Sequence, residues 1–464
     1  MDDLPSLIRA KMEAAGLGVA AIRAFLYQYD KLELNEAGLI PESSISPLGT
    51  LSSIEDETVS GDSSNVAART VVLKLNGGLG TGMGLEKAKS LLRVRDELTF
   101  LDIIARQFLR LRASVAPKLR LLLMNSFSTS SDTAAALGSY PELGDPRQLE
   151  LMQNKVPKID AKSLAPVDWP QNPSLEWCPP GHGDIYPSLL GSGLLGKLLS
   201  EGKEFLFVSN SDNLGATLDL RLLDFFASSG APFLMEVTAR TAADRKGGHL
   251  ARRKTDQRLL LRESAQCPEE DLAAFQNLER HRYFNTNNLW IRLDALRSEL
   301  DRGAGLLPLP LIRNEKTIDP RDRSTPKVFQ LETAMGAAIE CFDGARAIAV
   351  QRNRFSPVKT TADLFAVRSD AYELDAEFRL ELRPERKGVP PVVKLSDHYK
   401  LVEQFELLLT HGAPSLVRCN SLTIEGKMEF EPGVEIVGDV KFVSRGDETK
   451  RVRSGLYEDR ETVL

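Results

Sequence analysis

Five glycines fall within residues 77–84, directly after the β-forming run TVVLKL at 70–75. Glycine loses more conformational freedom on folding than other residues, so several together indicate a place where side chains would obstruct a close approach. A strand that leads into a glycine-rich loop and then a helix presents backbone N–H groups and a helix N-terminus to an anion. The pattern therefore predicts a phosphate-binding loop in an α/β sheet. The alternative, an ordinary tight turn, needs fewer glycines.

Two standard glycine motifs do not fit this stretch. A Walker A loop would have Lys directly after the second glycine, but Gly82 is followed by Met83. In G-x-G-x-x-G the third glycine would also stand at Met83, after Gly78 and Gly80. The loop is therefore typical neither of P-loop NTPases nor of dinucleotide-binding proteins.

Apolar runs alternate with helical patterns from residue 66 onward. Strands are predicted at 70–75, 119–126, 204–210 and 232–239, and a capped helix at 128–137. Nearly continuous apolar strands separated by helices predict a mostly parallel sheet that is covered on both faces. Before this region, apolar residues at three- and four-residue spacing predict a helix over 4–29. A polar stretch rich in Ser, Pro and Gly at 41–65 predicts a linker or surface loop.

The C-terminal segment has a different period. Its apolar pairs recur every six residues: Leu422/Ile424, Met428/Phe430, Val434/Ile436 and Val440/Phe442. This step is typical of a hexapeptide parallel β-helix, and the alternative is an antiparallel meander. A repeat of so few coils buries little core, so we expect it to dock on the main domain or on another subunit.

Composition excludes several classes. The formal charge is −6, with 59 basic and 65 acidic residues, which argues against non-specific nucleic-acid binding. The four cysteines are far apart in the sequence and form no C-x-x-C pair, so neither a disulfide framework nor a zinc site is predicted. This is consistent with a reducing compartment. No secretory signal and no membrane-length apolar run is seen. We therefore expect a soluble cytoplasmic protein with no membrane or nucleic-acid partner.

The glycine loop belongs to a longer set of recognisable segments. LNGGLGTGMG with a following Lys-Ser pair resembles the signature of the eukaryotic-type UTP–glucose-1-phosphate uridylyltransferase (UDP-glucose pyrophosphorylase) family. Further segments that resemble this family, in its order, are EWCPPGHGDIYPSL, FVSNSDNLGATLDL, DRKGGHL, FNTNNLWI, IRNEKTID, FQLETAMGAAI and RFSPVKTTADL. The resemblance extends from about residue 70 to about residue 445, and the hexapeptide tail is similar to the family's C-terminal domain.

This resemblance implies an α/β fold with a particular domain order. It implies a Rossmann-like nucleotidyltransferase domain of the glycosyltransferase-A-like type, with a mixed, mostly parallel sheet, and a C-terminal left-handed parallel β-helix. We assign an N-terminal helical segment and linker to 1–65, the catalytic domain to 66–395 and the β-helix domain to 396–464.

The implied reaction forms UDP-glucose and pyrophosphate from UTP and glucose 1-phosphate, reversibly. A phosphate oxygen of the sugar phosphate attacks the α-phosphorus of UTP in line, and this nucleophile is already an anion near pH 7. The site therefore needs no general base, and positioning and electrostatic stabilisation carry the reaction. We expect a backbone cradle, lysines and Mg²⁺.

Three charged residues are the catalytic candidates. Lys89 follows the glycine loop, on what is predicted to be the first helical turn, where a lysine can reach the α- and β-phosphates. Lys87 is a neighbouring cation whose alternative role is a solvated helix face. Asp212 ends an apolar strand, where a carboxylate is well placed to bind Mg²⁺; the alternative is a helix cap. The resemblance implies that Lys359 is the second phosphate-binding lysine.

The resemblance also implies the remaining contacts. The expected nucleotide-binding residues are Leu75, Asn76, Gly77, Gly78, Lys89, Gln153, Gly181, Asp212 and Lys359. The expected contacts to the sugar phosphate are His182, Asn210, Gly248, Glu263, Asn285 and Asn287. Alternate residues of an extended segment share a face, which would bring Asn285 and Asn287 together; the alternative is turn or ladder capping.

Other functions remain as alternatives. One is a uridylyltransferase of broader or different specificity, for galactose 1-phosphate or an N-acetylhexosamine 1-phosphate. Those relatives carry an arginine in the glycine loop, which is absent from Gly82-Met83-Gly84. A second alternative is a glycosyltransferase that consumes UDP-glucose, but its D-x-D motif is absent at NSDN. A third alternative is a catalytically inactive protein of this fold that acts as a scaffold. We also expect a homo-oligomer through the C-terminal β-helix.

Overall fold

The computed structural model describes residues 3–36, 38–59, 61–241 and 244–464, so Met1, Asp2, Ala37, Ser60, Ala242 and Ala243 lie outside it. The helices are α1 (Leu4–Ala14), α2 (Val19–Glu33), α3 (Ser63–Ala68), α4 (Phe100–Ser114), α5 (Ser130–Leu137), α6 (Ile185–Gly191), α7 (Leu194–Ser200), α8 (Leu220–Ser229), α9 (Leu272–Phe275), α10 (Leu293–Arg302), α11 (Thr361–Arg368) and α12 (Val402–Leu408). The strands of the first half are β1 (Ile45–Pro47), β2 (Thr70–Leu75), β3 (Arg93–Arg95), β4 (Leu98–Thr99), β5 (Arg120–Asn125), β6 (Glu150–Met152), β7 (Val156–Pro157), β8 (Ile159–Asp160), β9 (Trp177–Cys178) and β10 (Phe205–Asn210). The strands of the second half are β11 (Phe233–Ala239), β12 (His249–Arg253), β13 (Leu259–Arg262), β14 (Tyr283–Arg292), β15 (Ile312–Thr317), β16 (Lys327–Glu332), β17 (Arg346–Ala349), β18 (Tyr372–Leu374), β19 (Leu380–Leu382), β20 (Val392–Leu395), β21 (Ser415–Glu425), β22 (Met428–Phe430), β23 (Val434–Val443), β24 (Lys450–Val452), β25 (Gly455–Glu458) and β26 (Glu461–Val463).

A ten-stranded sheet forms the centre of the molecule. Its main path is β1-β12-β14-β10-β2-β5-β6, with β11 beside β14, β17 beside β11 and β13 beside β12. The pairings give one direction to β2, β5, β6, β10, β11, β12 and β17, and the opposite direction to β1, β13 and β14. The prediction of a mostly parallel, mixed sheet is confirmed.

Helices cover this sheet on both faces. Val71 and Leu73 of β2 belong to a buried cluster that includes residues of α6, α7 and α10. Val72, on the other face of the same strand, belongs to a cluster with residues of α4, α5 and α8. Both faces of the strand are therefore apolar, and this explains the continuous apolar runs in the sequence. The predicted strands at 70–75, 119–126, 204–210 and 232–239 are confirmed within one residue at each end.

The N-terminal prediction of helical structure over 4–29 is confirmed by α1 and α2, which are separated at Gly16, where the backbone is left-handed (φ 77°). The expected linker at 41–65 includes β1, whose buried Ile45 pairs with Arg253 at the edge of the central sheet. So short a strand is stabilised by a partner distant in the chain, which its own polar sequence does not reveal.

The helix expected directly after the glycine loop is also absent. Residues 81–83 and 89–91 form single 3₁₀ turns, and β3 and β4 then form a short hairpin. The first α-helix after the loop begins at Phe100, where Thr99 and Asp102 make a reciprocal capping box. Lys89 therefore stands on an isolated 3₁₀ turn.

The C-terminal strands pair in parallel, so the antiparallel alternative is wrong. All four apolar pairs of the six-residue repeat are buried. Leu422 lies opposite Val440 and Ile424 opposite Phe442, three six-residue steps further along the chain. The apolar core of this segment also contains Met83, Leu92 and Phe100, so the C-terminal part docks on the region of the glycine loop.

None of the helices in the described residues has the length and apolar character needed to cross a membrane.

Candidate active site

The glycine loop and Lys89 fold onto each other at the carboxyl end of β2. The Lys89 N–H donates to the Gly78 carbonyl oxygen at 3.0 Å, which brings the chain back over the loop. Gly80 has a left-handed backbone (φ 70°), and a Cβ there would lie 2.9 Å from Leu85 Cδ1 and 3.3 Å from Lys89 Cγ. A Cβ on Gly78 would meet no atom within 4 Å, so this part of the loop faces open space. Gly80 therefore gives room for the Lys89 side chain, and Gly78 leaves backbone accessible to a ligand.

Three of the expected nucleotide-binding residues lie together. The Gln153 side-chain nitrogen Nε2 donates to the Gly181 carbonyl oxygen at 2.9 Å. A Cβ on Gly77 would lie 2.7 Å from Gln153 Oε1, so the absence of a side chain there permits this close approach. The Ser126 hydroxyl, just after β5, donates to the Gly77 carbonyl oxygen at 2.8 Å and holds the first part of the glycine loop in place. The amide of Gln153 is thus held between two segments that the sequence separates.

Leu75 and Asn76 can offer only backbone to a ligand. The buried Asn76 side chain donates to Asn125 Oδ1 at 2.8 Å and to Thr133 Oγ1 at 2.9 Å, which ties the ends of β2 and β5 together. The Leu75 side chain packs against the buried cluster that includes residues of α6, α7 and α10, and its carbonyl oxygen accepts a hydrogen bond from the Ser211 N–H at 3.0 Å. Their side chains therefore support the loop from inside the protein.

Asp212 and Lys89 form an ion pair at the end of β10. Lys89 Nζ lies 2.6 Å from Asp212 Oδ2, and only 14% and 18% of the two side chains are exposed. Asp212 Oδ1 is buried and has no hydrogen-bond partner among the described residues. The helix-cap alternative is wrong, because α8 is capped by Asp219, which accepts from the Leu222 N–H. Asp212 therefore keeps one oxygen available for a cation.

Lys359 approaches the same region from the opposite end of the chain. The residue before it, Val358, donates its N–H to the Asp212 carbonyl oxygen at 3.1 Å. The Lys359 N–H donates to Asp363 Oδ2 at 2.8 Å, just before α11 begins. The exposed side chain is close enough to His182 and Glu263 for its charge to lower the pKa of each.

His182 is oriented by a backbone group. Its Nδ1 accepts a hydrogen bond from the Met335 N–H at 2.9 Å, so the proton of the neutral ring is on Nε2. Burial, and then the positive charge of Lys359, lower the pKa of His182 to about 4. The ring is therefore a neutral hydrogen-bond donor at neutral pH.

Among the expected sugar contacts, Gly248 lies against Glu263 and its carbonyl oxygen accepts from the Asn285 N–H at 3.5 Å. A Cβ on Gly248 would lie 2.5 Å from Glu263 Oε2, so this carboxylate packs directly on glycine backbone. Burial raises the pKa of Glu263, and the charge of Lys359 opposes this rise. Asn210 ends β10 opposite Leu75, beside the first residues of the glycine loop.

Asn285 and Asn287 meet, but not by strand alternation. Asn287 has a left-handed backbone (φ 59°) inside β14, where the pairing with β11 shifts its register. Asn285 Nδ2 donates to Asn287 Oδ1 at 2.8 Å, and the Asn287 N–H donates to Asn285 Oδ1 at 2.9 Å. The expected extended geometry is wrong: a β-bulge brings the two amides together.

Comparison with known proteins shows the family of the chain. A model of the UTP–glucose-1-phosphate uridylyltransferase family matches residues 21–437. The chain belongs to this family.

Relatives of the family are similar over most of the chain. The UTP–glucose-1-phosphate uridylyltransferase of Saccharomyces cerevisiae is 42% identical over 393 residues, which cover 84% of this chain and 77% of the relative. That of Solanum tuberosum is 41% identical over 379 residues, covering 81% and 77%. A mutant UDP-glucose pyrophosphorylase from Leishmania major, solved in complex with UDP-glucose, superimposes with a TM-score of 0.96 at 46% identity over 100% of both chains. A Trypanosoma brucei protein described as UDP-glucose phosphorylase gives 0.92 at 46% identity over 99% of both chains.

Several residues that hold this uridylyltransferase site together are missed by reasoning from sequence. Met335 orients His182, and Ser126 fixes the glycine loop through Gly77. Met335 lies inside the recognised segment FQLETAMGAAI, but its contribution is a backbone N–H, which its side chain does not signal. The side chain of Asn213, next to Asp212, bonds to the backbone of Arg354 and Ser356, which are distant in the chain.

Proposed function

We propose that this chain transfers the uridylyl group of UTP to glucose 1-phosphate, giving UDP-glucose and pyrophosphate in a reversible reaction. The observation that carries the proposal is the convergence of the Lys89–Asp212 ion pair with the segment of Lys359, through the bond from the Val358 N–H to the Asp212 carbonyl. One lysine thus pairs with the Asp212 carboxylate beside the glycine loop, and the segment that carries a second lysine is bonded to the Asp212 backbone. This charge arrangement suits two phosphate-bearing substrates better than a neutral sugar acceptor.

The reaction needs charge neutralisation and alignment. A phosphate oxygen of glucose 1-phosphate bonds to the α-phosphorus of UTP while the bond from that phosphorus to the pyrophosphate oxygen breaks. Negative charge accumulates on the departing pyrophosphate, and Lys89 is placed to neutralise it. Lys359 would hold the sugar phosphate in line, and His182 would donate its Nε2–H to it.

We also propose that Asp212 binds Mg²⁺. The donor chemistry supports this, since Asp212 Oδ1 is a buried carboxylate oxygen without a partner among the described residues. No group of three or more His, Cys, Asp or Glu side chains able to hold a metal occurs in the described ranges, so phosphates and water would supply the other ligands. When bound, Mg²⁺ would reduce the negative charge of the triphosphate.

The Asp212→Asn variant tests this site. It keeps the shape of the side chain but removes its charge, so we expect kcat to fall by about 100-fold and half-maximal activity to require more Mg²⁺. Steady-state rates over a Mg²⁺ titration, with thermal unfolding as a control for folding, measure both effects. An unchanged Mg²⁺ requirement would remove Asp212 from the metal site.

The substrate preference can be tested with a panel of sugar 1-phosphates. The names of the relatives support glucose 1-phosphate, and the alternative of a broader specificity is not favoured. UTP is offered with glucose, galactose or N-acetylglucosamine 1-phosphate, and released pyrophosphate is measured. We expect the highest kcat/KM with glucose 1-phosphate. An equal or higher value for either of the other two would overturn this preference.

His182 gives a prediction about pH. Because its pKa is about 4, below the ordinary 6.5, the ring stays neutral and keeps its Nε2 proton from about pH 8 down to about pH 5. We expect His182→Ala to lower kcat/KM for glucose 1-phosphate by about 10-fold. In the wild-type protein we expect no loss of kcat/KM from His182 protonation above about pH 5. The control is His411→Ala, at an exposed position in a C-terminal turn.

A loss of kcat/KM near pH 6.5 that is absent from His182→Ala would show an ordinary histidine and contradict this prediction.

We infer further that the central sheet belongs to a nucleotidyltransferase domain of the glycosyltransferase-A-like type, at 66–395. The C-terminal part, at 396–464, is proposed as a left-handed parallel β-helix. The parallel pairing of strands three six-residue steps apart supports this proposal. Assembly through this domain and a cytoplasmic location stay predictions.

A further inference from the structure

The buried side chain of Asn213 joins the loop that contains Asp212 to residues 354–359, the Lys359 segment. Asn213 Nδ2 donates to the Arg354 carbonyl oxygen at 3.0 Å, and Asn213 Oδ1 accepts from the Ser356 N–H at 3.0 Å. Asn213 also forms an isolated antiparallel bridge with Pro357. Its side chain is 1% exposed, so water does not compete for these bonds. The residue after Asp212 thus holds the backbone that leads to Lys359.

Two further features fix the base of the Lys359 segment. The Arg354 guanidinium binds both carboxylate oxygens of the fully buried Glu236, with its Nε 2.7 Å from Oε2 and its Nη2 2.8 Å from Oε1. A Cβ on Gly215 would overlap the Asn353 carbonyl oxygen, so glycine permits close contact between the two segments. The segment is therefore anchored at Arg354, whose Nη2 also donates to the Thr217 carbonyl oxygen at 3.1 Å, and the Asn213 side chain bonds it directly beside Asp212.

We infer that Asn213 is a positioning residue, which acts on the reaction through Lys359. This inference rests on the proposed function. A carboxamide offers a donor and an acceptor together, and these match one carbonyl and one N–H of the Lys359 segment. Without it, the partly buried Ser356 N–H loses its acceptor and the segment is held less firmly beside Asp212. A displacement of about 1 Å at a phosphate-binding group costs about 100-fold in rate.

A double-mutant cycle separates this role from a structural one. Asn213→Ala, Lys359→Ala and the double variant are compared with the wild type, by kcat and by KM for each substrate. We expect Asn213→Ala to lower kcat by about 10- to 100-fold. In the Lys359→Ala background, where the side chain that Asn213 is inferred to position is absent, we expect the same change to cost less than about 3-fold.

Two controls accompany the cycle. Asn125 is equally buried and bonds to Asn76 and Glu150 on the other side of the glycine loop, so Asn125→Ala is expected to cost the same in both backgrounds. Asn213→Asp keeps the acceptor for Ser356 and loses the donor to Arg354. It is isosteric, so it replaces alanine in the cycle if Asn213→Ala does not fold, as judged by thermal unfolding.

The outcomes are distinct. If Asn213→Ala costs as much without Lys359 as with it, the residue only stabilises the fold, and the inference is overturned while the proposed function stands. If Lys359→Ala alone leaves kcat unchanged, the proposed phosphate role of Lys359 fails, and the inference fails with it. Wild-type protein that releases no pyrophosphate from UTP and glucose 1-phosphate would overturn the proposed function itself.

Discussion

Replacing Lys89 by alanine is expected to lower kcat by about 100- to 1,000-fold, whereas the same change at Lys87 is expected to leave it within about 2-fold. Lys89 is largely buried and paired with Asp212 at 2.6 Å, beside backbone that faces open space at Gly78. Lys87 is exposed on the loop. The comparison decides which of two neighbouring cations in EKAKS serves the phosphates.

The measurement is steady-state pyrophosphate release under saturating UTP and glucose 1-phosphate. Because Lys89→Ala also leaves Asp212 without its partner, Lys89→Met is a useful second variant that retains most of the apolar stem over Gly80. Thermal unfolding of each variant separates a loss of chemistry from a loss of folded protein. Equal losses at positions 87 and 89 would contradict the assignment.

Lys359→Ala is expected to lower kcat by about 100-fold, and Lys359→Arg to recover part of the loss. The reason is that its charge acts on His182 and Glu263, and that its segment is bonded to Asp212 through the Val358 N–H. Removal of the Lys359 charge should also change the pKa of His182 in the protein without substrate. Since the charge of Lys359 lowers the pKa of His182, we expect this pKa to rise above about 4 in Lys359→Ala.

NMR titration of His182 in the wild type and in Lys359→Ala measures this shift. A pKa of His182 that does not change, together with unchanged kcat, would show that Lys359 points away from the site.

The sequence predicts those parts of the site that depend on residue type and local spacing. Lys89 and Asp212 are predicted from their places after the glycine loop and at a strand end, whereas Lys359, Gln153 and Gly181 follow only from the family resemblance. The structure brings the segments of Lys89, Asp212 and Lys359 together, and Gln153 contacts Gly77 and Gly181. The sequence does not predict the direction of side chains: the amide of Asn76, an expected nucleotide-binding residue, faces inward to Asn125 and Thr133.

Local errors have a common origin. The amides of Asn285 and Asn287 meet through a bulge in β14 and not through regular strand alternation, and a bulge is set by the pairing with β11. The 3₁₀ turn at Lys89 forms where its N–H reaches Gly78 instead of starting a helix. In both places a contact between segments overrides the local periodicity that the prediction used.

By itself, the sequence determined the alternation of apolar strands and helices, the glycine loop, and the six-residue repeat of the C-terminal part. These follow from periodicity and from glycine's freedom, which act over a few neighbouring residues. Only the tertiary structure decided that β1 joins the central sheet. It also decided that one carboxylate oxygen of Asp212 pairs with Lys89 while the other has no hydrogen-bond partner among the described residues. It decided, too, that Asn213 bonds to the segment that leads to Lys359. Each of these depends on groups that are far apart in the chain and meet only when the sheet has formed.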